Sequence, residues 1–480
     1  MGHEQPTVLD LFAGCGGLSL GLERAGFIPV GFTEIAEEAA QTYLHNRPKH
    51  EWLTDNWVKD TWDLIRPPNG KSGEIAKQKP LQKIIKSAKQ LNPGVRGSGI
   101  DLVVGGPPCQ GYSRLGHRRT YGHDRKSNPS NFLYESMAGV IALTKPKFFV
   151  FENVQGLLRA TWERGKGEPG EVFEDVLRSF VGIRDGRSSK PLYEVRWKLV
   201  RAYQFGVPQN RPRVLAVGIR RDIAKDLDRR GLICLDWGNL KKSDRLQDKL
   251  QATESCNFFP QGFSGPRCPH PDEAIGDLLF LNYEACREEF KKTKQRELLK
   301  SDRYFESKPT NAFQTEMRDP EEAERFGVEW DGQTLANHEG SFHADKTIAR
   351  FKAIQKAGRA EGENRNKKFS QRALPRQWKS TLFEDRVPNI TVTSMPDDFV
   401  HYEQARSMTV REWARLQTFP DWYEFLGKRT TGGIRRAGDP ESGIVEREVP
   451  QYTQIGNAVP PRLAHALGTH LEKFIRPEVL

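Results

Sequence analysis

Apolar residues in this chain fall into short unbroken runs, separated by stretches where they recur every third or fourth position. Short runs bounded by turn residues read as strands buried on both faces, and the longer period reads as amphipathic helix. Strands are predicted at residues 7–12, 27–32, 100–104, 148–151, 191–200 and 213–217. Helices are predicted at 18–25, closed by Gly26, and at about 36–44, 134–143, 409–417 and 461–474. Strands alternating with helices predict an α/β fold built on a doubly wound, mostly parallel sheet.

The alternation fails in two places. Residues 66–99 are rich in Lys, Pro and Gly and read as an insertion standing outside the core. From about 225 to 385 the chain is charged and punctuated by Pro and Arg. Within it, residues 345–380 carry eleven Lys or Arg against three Asp or Glu, with Phe369 and Trp378 among them. Such interleaving favours a folded binding surface. Residues 427–448 read as a loop. No internal repeat and no low-complexity tract is present.

Several candidate chemical groups fall at predicted strand ends, where open α/β sheets collect ligands. Residues 105–113 read Gly-Gly-Pro-Pro-Cys-Gln-Gly-Tyr-Ser. The two prolines fix φ and forbid a helix, so Cys109 sits in a stiff loop just past a strand. A Gly-rich turn, Gly14-Cys15-Gly16-Gly17-Leu18-Ser19, joins the first strand to the first helix and lets backbone approach a ligand. As a dinucleotide fingerprint it is weak, because Ser19 stands at the third Gly position. Glu34, about 20 residues on, is placed to accept hydrogen bonds from ribose hydroxyls. Glu152 ends the strand at 148–151, and Gln209-Asn210-Arg211-Pro212-Arg213 leads into another.

Taken in order, these segments resemble the cytosine-5 DNA methyltransferase family. Asp10-Leu11-Phe12-Ala13-Gly14-Cys15-Gly16-Gly17 resembles its cofactor loop, and Gly105-Gly106-Pro107-Pro108-Cys109-Gln110 its nucleophile loop. Glu152-Asn153-Val154 resembles its substrate-acid motif, and Gln209 to Arg213 its substrate-arginine motif. Arg411-Glu412 with Arg415-Leu416-Gln417-Thr418-Phe419-Pro420 matches a late helix motif. Gln454-Ile455-Gly456-Asn457-Ala458-Val459-Pro460-Pro461 matches the closing motif. The resemblance implies a Rossmann-like S-adenosylmethionine-dependent methyltransferase of two domains. Residues 1–225 and 408–480 would form the catalytic and cofactor domain, and 226–407 an irregular target-recognition domain.

The resemblance assigns Cys109 as nucleophile at cytosine carbon-6 and Glu152 as the acid at ring nitrogen 3. Arg213 would contact the base and Glu152. Arg211 and Asn153 stand with them in the catalytic set, Arg211 as a support for the site or the DNA. Around the cofactor it places Phe12, Gly14, Gly16, Gly17, Leu18, Glu34, Ile35, Pro107, Asn457 and Val459. Asp60 is matched to the acid that holds the adenine amino group, with Asp63 as competitor. Arg114, Arg118, Arg119, Arg125 and Lys126 lie in what resembles the mobile loop that closes over an extruded base. Duplex DNA is the implied partner, in a prokaryotic restriction–modification setting with a companion endonuclease, and the enzyme is expected to be a monomer. Transfer-RNA cytosine-5 methylation and a catalytically silent DNA-binding regulator are the rival readings. The long basic segment opposes the first, and intact Cys109, Glu152 and Arg213 oppose the second.

Composition adds little more. The 480 residues carry a net charge of +11, which suits a polyanion partner. No apolar run approaches the ~20 residues of a membrane span. The six cysteines, at 15, 109, 234, 256, 268 and 286, form no Cys-x-x-Cys pair. That gives a zinc site little support, with Cys256, Cys268 and His270 the one partial set, and predicts a reducing cytoplasmic compartment with no metal.

Overall fold

The computed structural model describes residues 5–66, 79–93, 97–108, 129–163, 166–186, 189–235, 245–262, 268–359, 391–395, 399–431 and 448–475. Among these residues seven strands form one sheet: β1 Thr7–Leu11, β2 Ile28–Thr33, β3 Trp57–Val58, β4 Leu102–Gly105, β5 Phe148–Val154, β6 Tyr193–Arg201 and β7 Pro212–Arg220. Their order is β3-β2-β1-β4-β5-β7-β6. Pairings among β1 to β5 are parallel, whereas β7 runs antiparallel to both β5 and β6. The sheet is therefore mixed and mostly parallel, as the alternation predicts.

The unbroken apolar runs are explained by burial on both sides. Leu9, Leu11, Val103, Phe149, Phe151, Val214 and Ala216 face one core. Val8, Leu102, Val104, Phe148, Val150, Leu215 and Val217 face the other. The first core is covered by α3 Lys79–Leu91, α4 Leu133–Thr144 and α5 Glu171–Val181. The second is covered by α1 Gly17–Arg24, α6 Arg221–Arg229 and α11 Pro461–Ile475. Helix α2 Glu37–His45 follows β2.

One expectation needs revision. Residues 66–99 do not stand outside the core throughout, because α3 buries Leu81, Ile84 and Ala88 in the first core. Those positions follow helical spacing, but Lys79, Lys83, Lys86 and Lys89 between them hide the stripe in a low average hydrophobicity. Helices α5 and α6 and strand β3 were also not predicted. The boundary expected at 226 falls inside α6, and Leu250, Cys256, Phe258 and Phe259 beyond it pack into the sheet's cores.

Further on, α7 Tyr283–Thr293 and α8 Asp345–Arg359 are joined by short helices and irregular chain. Ala274, Ile275, Leu278, Phe313, Met317 and Leu335 form a third cluster with Trp413 and Leu416 of α9 Val410–Leu416. The cluster reaches Tyr452 and Ile455 of α10 Gln451–Asn457, and it ends on Cys15 and Leu20 behind the Gly-rich turn. Phe369 and Trp378 lie outside the described residues. No helix among the described residues is long and apolar enough to cross a membrane.

Candidate active site

The sheet order reverses at β1, which has β2 on one side and β4 on the other. Crevices form at such a point beyond the carboxyl ends of the strands. Register places the candidates there together: Leu11 is opposite Gly105, and Gly105 is opposite Phe151. Phe12, Gly106 and Glu152 thus leave neighbouring strands at one level. Strand β7 brings Arg213 to the same edge by running the other way, with Arg213 opposite Val154 and Leu215 opposite Glu152. A residue at the start of one strand can therefore meet a residue at the end of another.

Arg213 Nε lies 2.5 Å from Glu152 Oε1, with both side chains about nine-tenths buried. Burial pulls the Arg213 guanidinium below its usual range, and Glu152 opposes that shift. The other carboxylate oxygen, Oε2, faces Gly106, where an added Cβ would stand only 2.9 Å from it. Asn153 Nδ2 donates to the carbonyl of Pro107 (3.0 Å), and its Oδ1 accepts from the Val154 N–H (2.8 Å). One amide thereby ties the end of β5 to the Pro107-Pro108 segment. Cys109, Gln110 and the basic residues from Arg114 to Lys126 lie outside the described residues.

Arg211 lies near enough to Arg213 and Glu152 to feel both charges, but its hydrogen bonds go elsewhere. Its guanidinium is buried and donates to the carbonyls of Val392 (2.8 Å), Gly456 (2.7 Å) and Ala458 (3.1 Å). Those contacts all face backbone carbonyls of the elements around the crevice.

The Gly-rich turn forms the other half of the crevice. Phe12 holds a left-handed φ of 58°, and its N–H donates to Thr33 Oγ1 (3.0 Å). The Gly14 N–H donates to Glu34 Oε2 and the Ala36 N–H to Glu34 Oε1, both at 2.8 Å. Burial raises the Glu34 carboxyl above its usual range against those two donors. Each oxygen retains a further lone pair for an incoming hydroxyl. Ile35 beside it is 76% exposed, and a Cβ on Gly14 would meet nothing within 4 Å. The rim thus offers an acceptor, an apolar surface and open space, which fits a nucleoside with a ribose.

Gly16 and Gly17 are constrained from behind. A Cβ on Gly17 would lie 2.4 Å from the Val459 carbonyl, so the closing motif packs directly on the turn. Val459 is buried and Asn457 exposed. Leu18 is buried in the second core. Asp60 caps a short helix by accepting from the Trp62 N–H (3.0 Å), while Asp63 is exposed on its first turn.

Sequence reasoning did not single out the residues that hold the turn. Tyr423 Oη donates to the Cys15 carbonyl (2.5 Å). Arg47 donates to the Gly16 carbonyl (3.2 Å) and to Tyr423 Oη (3.1 Å), and is neutralised by Glu23 at 2.7 Å. Behind them Ser19 Oγ donates to Asp10 (2.6 Å), whose carboxyl burial pushes up to about 7. No local pattern marks Arg47, because its partners come from both ends of the chain. Burial pushes the Cys15 thiol up to about 12. Among the described residues no group of three or more His, Cys, Asp or Glu is arranged to hold a metal.

Comparison with known proteins agrees with this geometry. The chain is 28% identical to the type II methyltransferase M.DdeI of Desulfomicrobium norvegicum, over 98% of this chain and 89% of the relative. It is 26% identical to M1.HphI of Haemophilus parahaemolyticus, over 98% and 87%. A prophage-encoded E. coli structure named for DNA modification methyltransferase activity shares the fold. Its TM-score is 0.56 at 20% identity, covering 98% of this chain and 99% of that one. The model of the C-5 cytosine-specific DNA methylases matches residues 6–473, and the chain belongs to that family.

Proposed function

We propose that this DNA cytosine-5 methyltransferase acts on a cytosine swung out of duplex DNA, through a covalent adduct on Cys109, with S-adenosylmethionine as donor. The observation that carries the reading is the buried Arg213–Glu152 pair beside Gly106 at the switch point of the sheet. A base inside a stacked duplex cannot reach such a crevice, so it must be extruded.

Cytosine carbon-5 is a poor nucleophile until something adds at carbon-6. The Cys109 thiolate forms that bond, and the electron pair of the ring's 5,6 double bond moves to make carbon-5 nucleophilic. Glu152 relieves the charge by holding a proton at ring nitrogen 3, with Oε2 the oxygen that lies on the loop side. Arg213 fixes the carboxyl through Oε1 and adds a cation beside the ring. Asn153 sets the Pro107 carbonyl, and hence the direction in which the loop leaves β4.

S-adenosylmethionine supplies the electrophilic methyl group. Glu34 would accept from its ribose hydroxyls, Ile35 would cover one face of the adenine, and Phe12 would lie along the methionine part. Gly14, Gly16, Gly17 and Leu18 would bring backbone against it, with Pro107, Asn457 and Val459 closing the pocket. Asp60 rather than Asp63 would receive the adenine amino group, because Asp60 lies at the sheet edge just after β3. After transfer, the carbon-5 proton leaves to a base and the thiolate is eliminated.

Because the relatives carry type II names, a companion endonuclease is part of the proposal. So is a target-recognition role for the segment between α6 and α9, with 1–225 and 408–480 carrying the chemistry. The test is labelled S-adenosylmethionine with plasmid or transfer RNA, followed by bisulfite sequencing of the product. Label in plasmid at one sequence context, lost in Cys109→Ala, is the expected result. Label in transfer RNA alone, or full activity in Cys109→Ala, would overturn it.

A further inference from the structure

Arg211 and Gln209 make more contacts than the chemistry requires. Gln209 Nε2 donates to the Leu416 carbonyl (2.9 Å) and to Gln417 Oε1, while its Oε1 accepts from the Val392 N–H (3.0 Å). Thr391 Oγ1 donates to the Asn210 carbonyl (2.6 Å). Arg211 spans Val392 on one side and Gly456 and Ala458 on the other. Gln417 Nε2 reaches the carbonyls of Ile455 (3.0 Å) and Ala458 (2.6 Å). Residues 391–393 are where the intervening segment returns, and the Val459 carbonyl lies directly on Gly17 of the cofactor turn.

The fit leaves no slack. A Cβ on Gly456 would come within 2.4 Å of the Thr393 carbonyl group. No carboxylate lies within salt-bridge range of Arg211 among the described residues; three carbonyls are its direct partners, and Glu152 offsets its charge only from further off. A shift of Val392 must therefore move Arg211 or strand a buried cation, and moving Arg211 moves Ala458.

We infer that Arg211, seated by Gln209, is a positioning residue that couples the placement of the returning segment to the cofactor-closing motif. Binding of target DNA and of cofactor then reinforce each other through this junction. The inference rests on the reading of duplex DNA and S-adenosylmethionine as ligands. By linkage the two affinities change by one common factor, for which roughly 5- to 150-fold is ordinary. Lysine keeps the charge of arginine but cannot span three carbonyls with a fixed fork.

The experiment measures the dissociation constant of S-adenosylhomocysteine, which cannot donate a methyl, by calorimetry. It is measured with and without a short duplex carrying a site mapped by bisulfite sequencing. In the wild type the duplex should tighten the ligand several-fold, and in Arg211→Lys the ratio should approach one. A merely structural role would weaken both constants alike and leave the ratio unchanged, which overturns the coupling. Should Arg211→Lys not fold, Thr391→Val removes one half-buried bond of the same junction. An unchanged ratio there overturns it equally. A wild type that binds neither ligand would instead sink the functional reading.

Discussion

Gly106 shows how little space the site allows. Alanine there would push a methyl to 2.9 Å from Glu152 Oε2, while Arg213 holds the other oxygen. The carboxyl must turn away, and misplacement by an ångström costs about a hundredfold in rate. Gly106→Ala should therefore lower kcat by about that factor with the melting temperature nearly unchanged; wild-type kcat would refute the assignment. Glu34→Ala should weaken the cofactor more than it slows turnover at saturation, since charge-assisted bonds to ribose are worth about 1.5–3 kcal/mol each. An unaltered cofactor dissociation constant by calorimetry would count against that role. Residues of this kind were readable in the sequence because each sits beside a turn signal at a strand end. Arg47 and Tyr423 were not, since only the fold brings them to the carbonyls of Gly16 and Cys15.

At the level of elements, periodicity predicted the buried strands and helices α1, α2, α4, α9 and α11 to within a few residues, but not the long helices α3 and α8. Thr409 and Glu412 form the capping box that starts α9. The direction of β7 could not be read, because an apolar run is the same in a parallel or an antiparallel strand. Helix α9 is held by ion pairs rather than by apolar area alone. Arg415 joins Asp421 (2.5 Å) and Asp277 (2.9 Å), all three fully buried. Arg415→Met would leave Asp277 and Asp421 with only the longer pairs to Arg318 (3.5 Å) and Arg411 (3.9 Å), a loss of up to about 3–5 kcal/mol. The denaturation midpoint should drop accordingly; a shift of a few tenths of a kcal/mol would show that the aspartates find other partners. The same helix carries Trp413 and Leu416, so the fall should extend to the third cluster as a whole.

Across the whole molecule, buried titratable groups pull stability in opposite directions. Burial pushes His338 and His343 down to about 4 from 6.5, so their contribution is complete above 6.5 and is lost as pH falls towards 4. His343 Nε2 accepts from the Ser407 N–H, and protonation would break that bond. Asp10, raised from 3.8 to about 7, contributes in full below 3.8 and is lost as pH rises through about 7. Melting temperatures of Asp10→Asn relative to wild type should therefore climb with pH across that interval; a flat difference would contradict the shift. Helices α1 and α11 pose a matter of timing. A Cβ on Gly21 would meet the Pro461 carbonyl at 2.3 Å and Ala464 at 2.4 Å, so the two backbones touch. A ribosome releases α1 before α11. Until then the side of α1 that α11 covers stays open and the cofactor turn has no backing from Val459. In a nascent chain, that uncovered side of α1 is a surface for chaperones to hold until α11 has emerged.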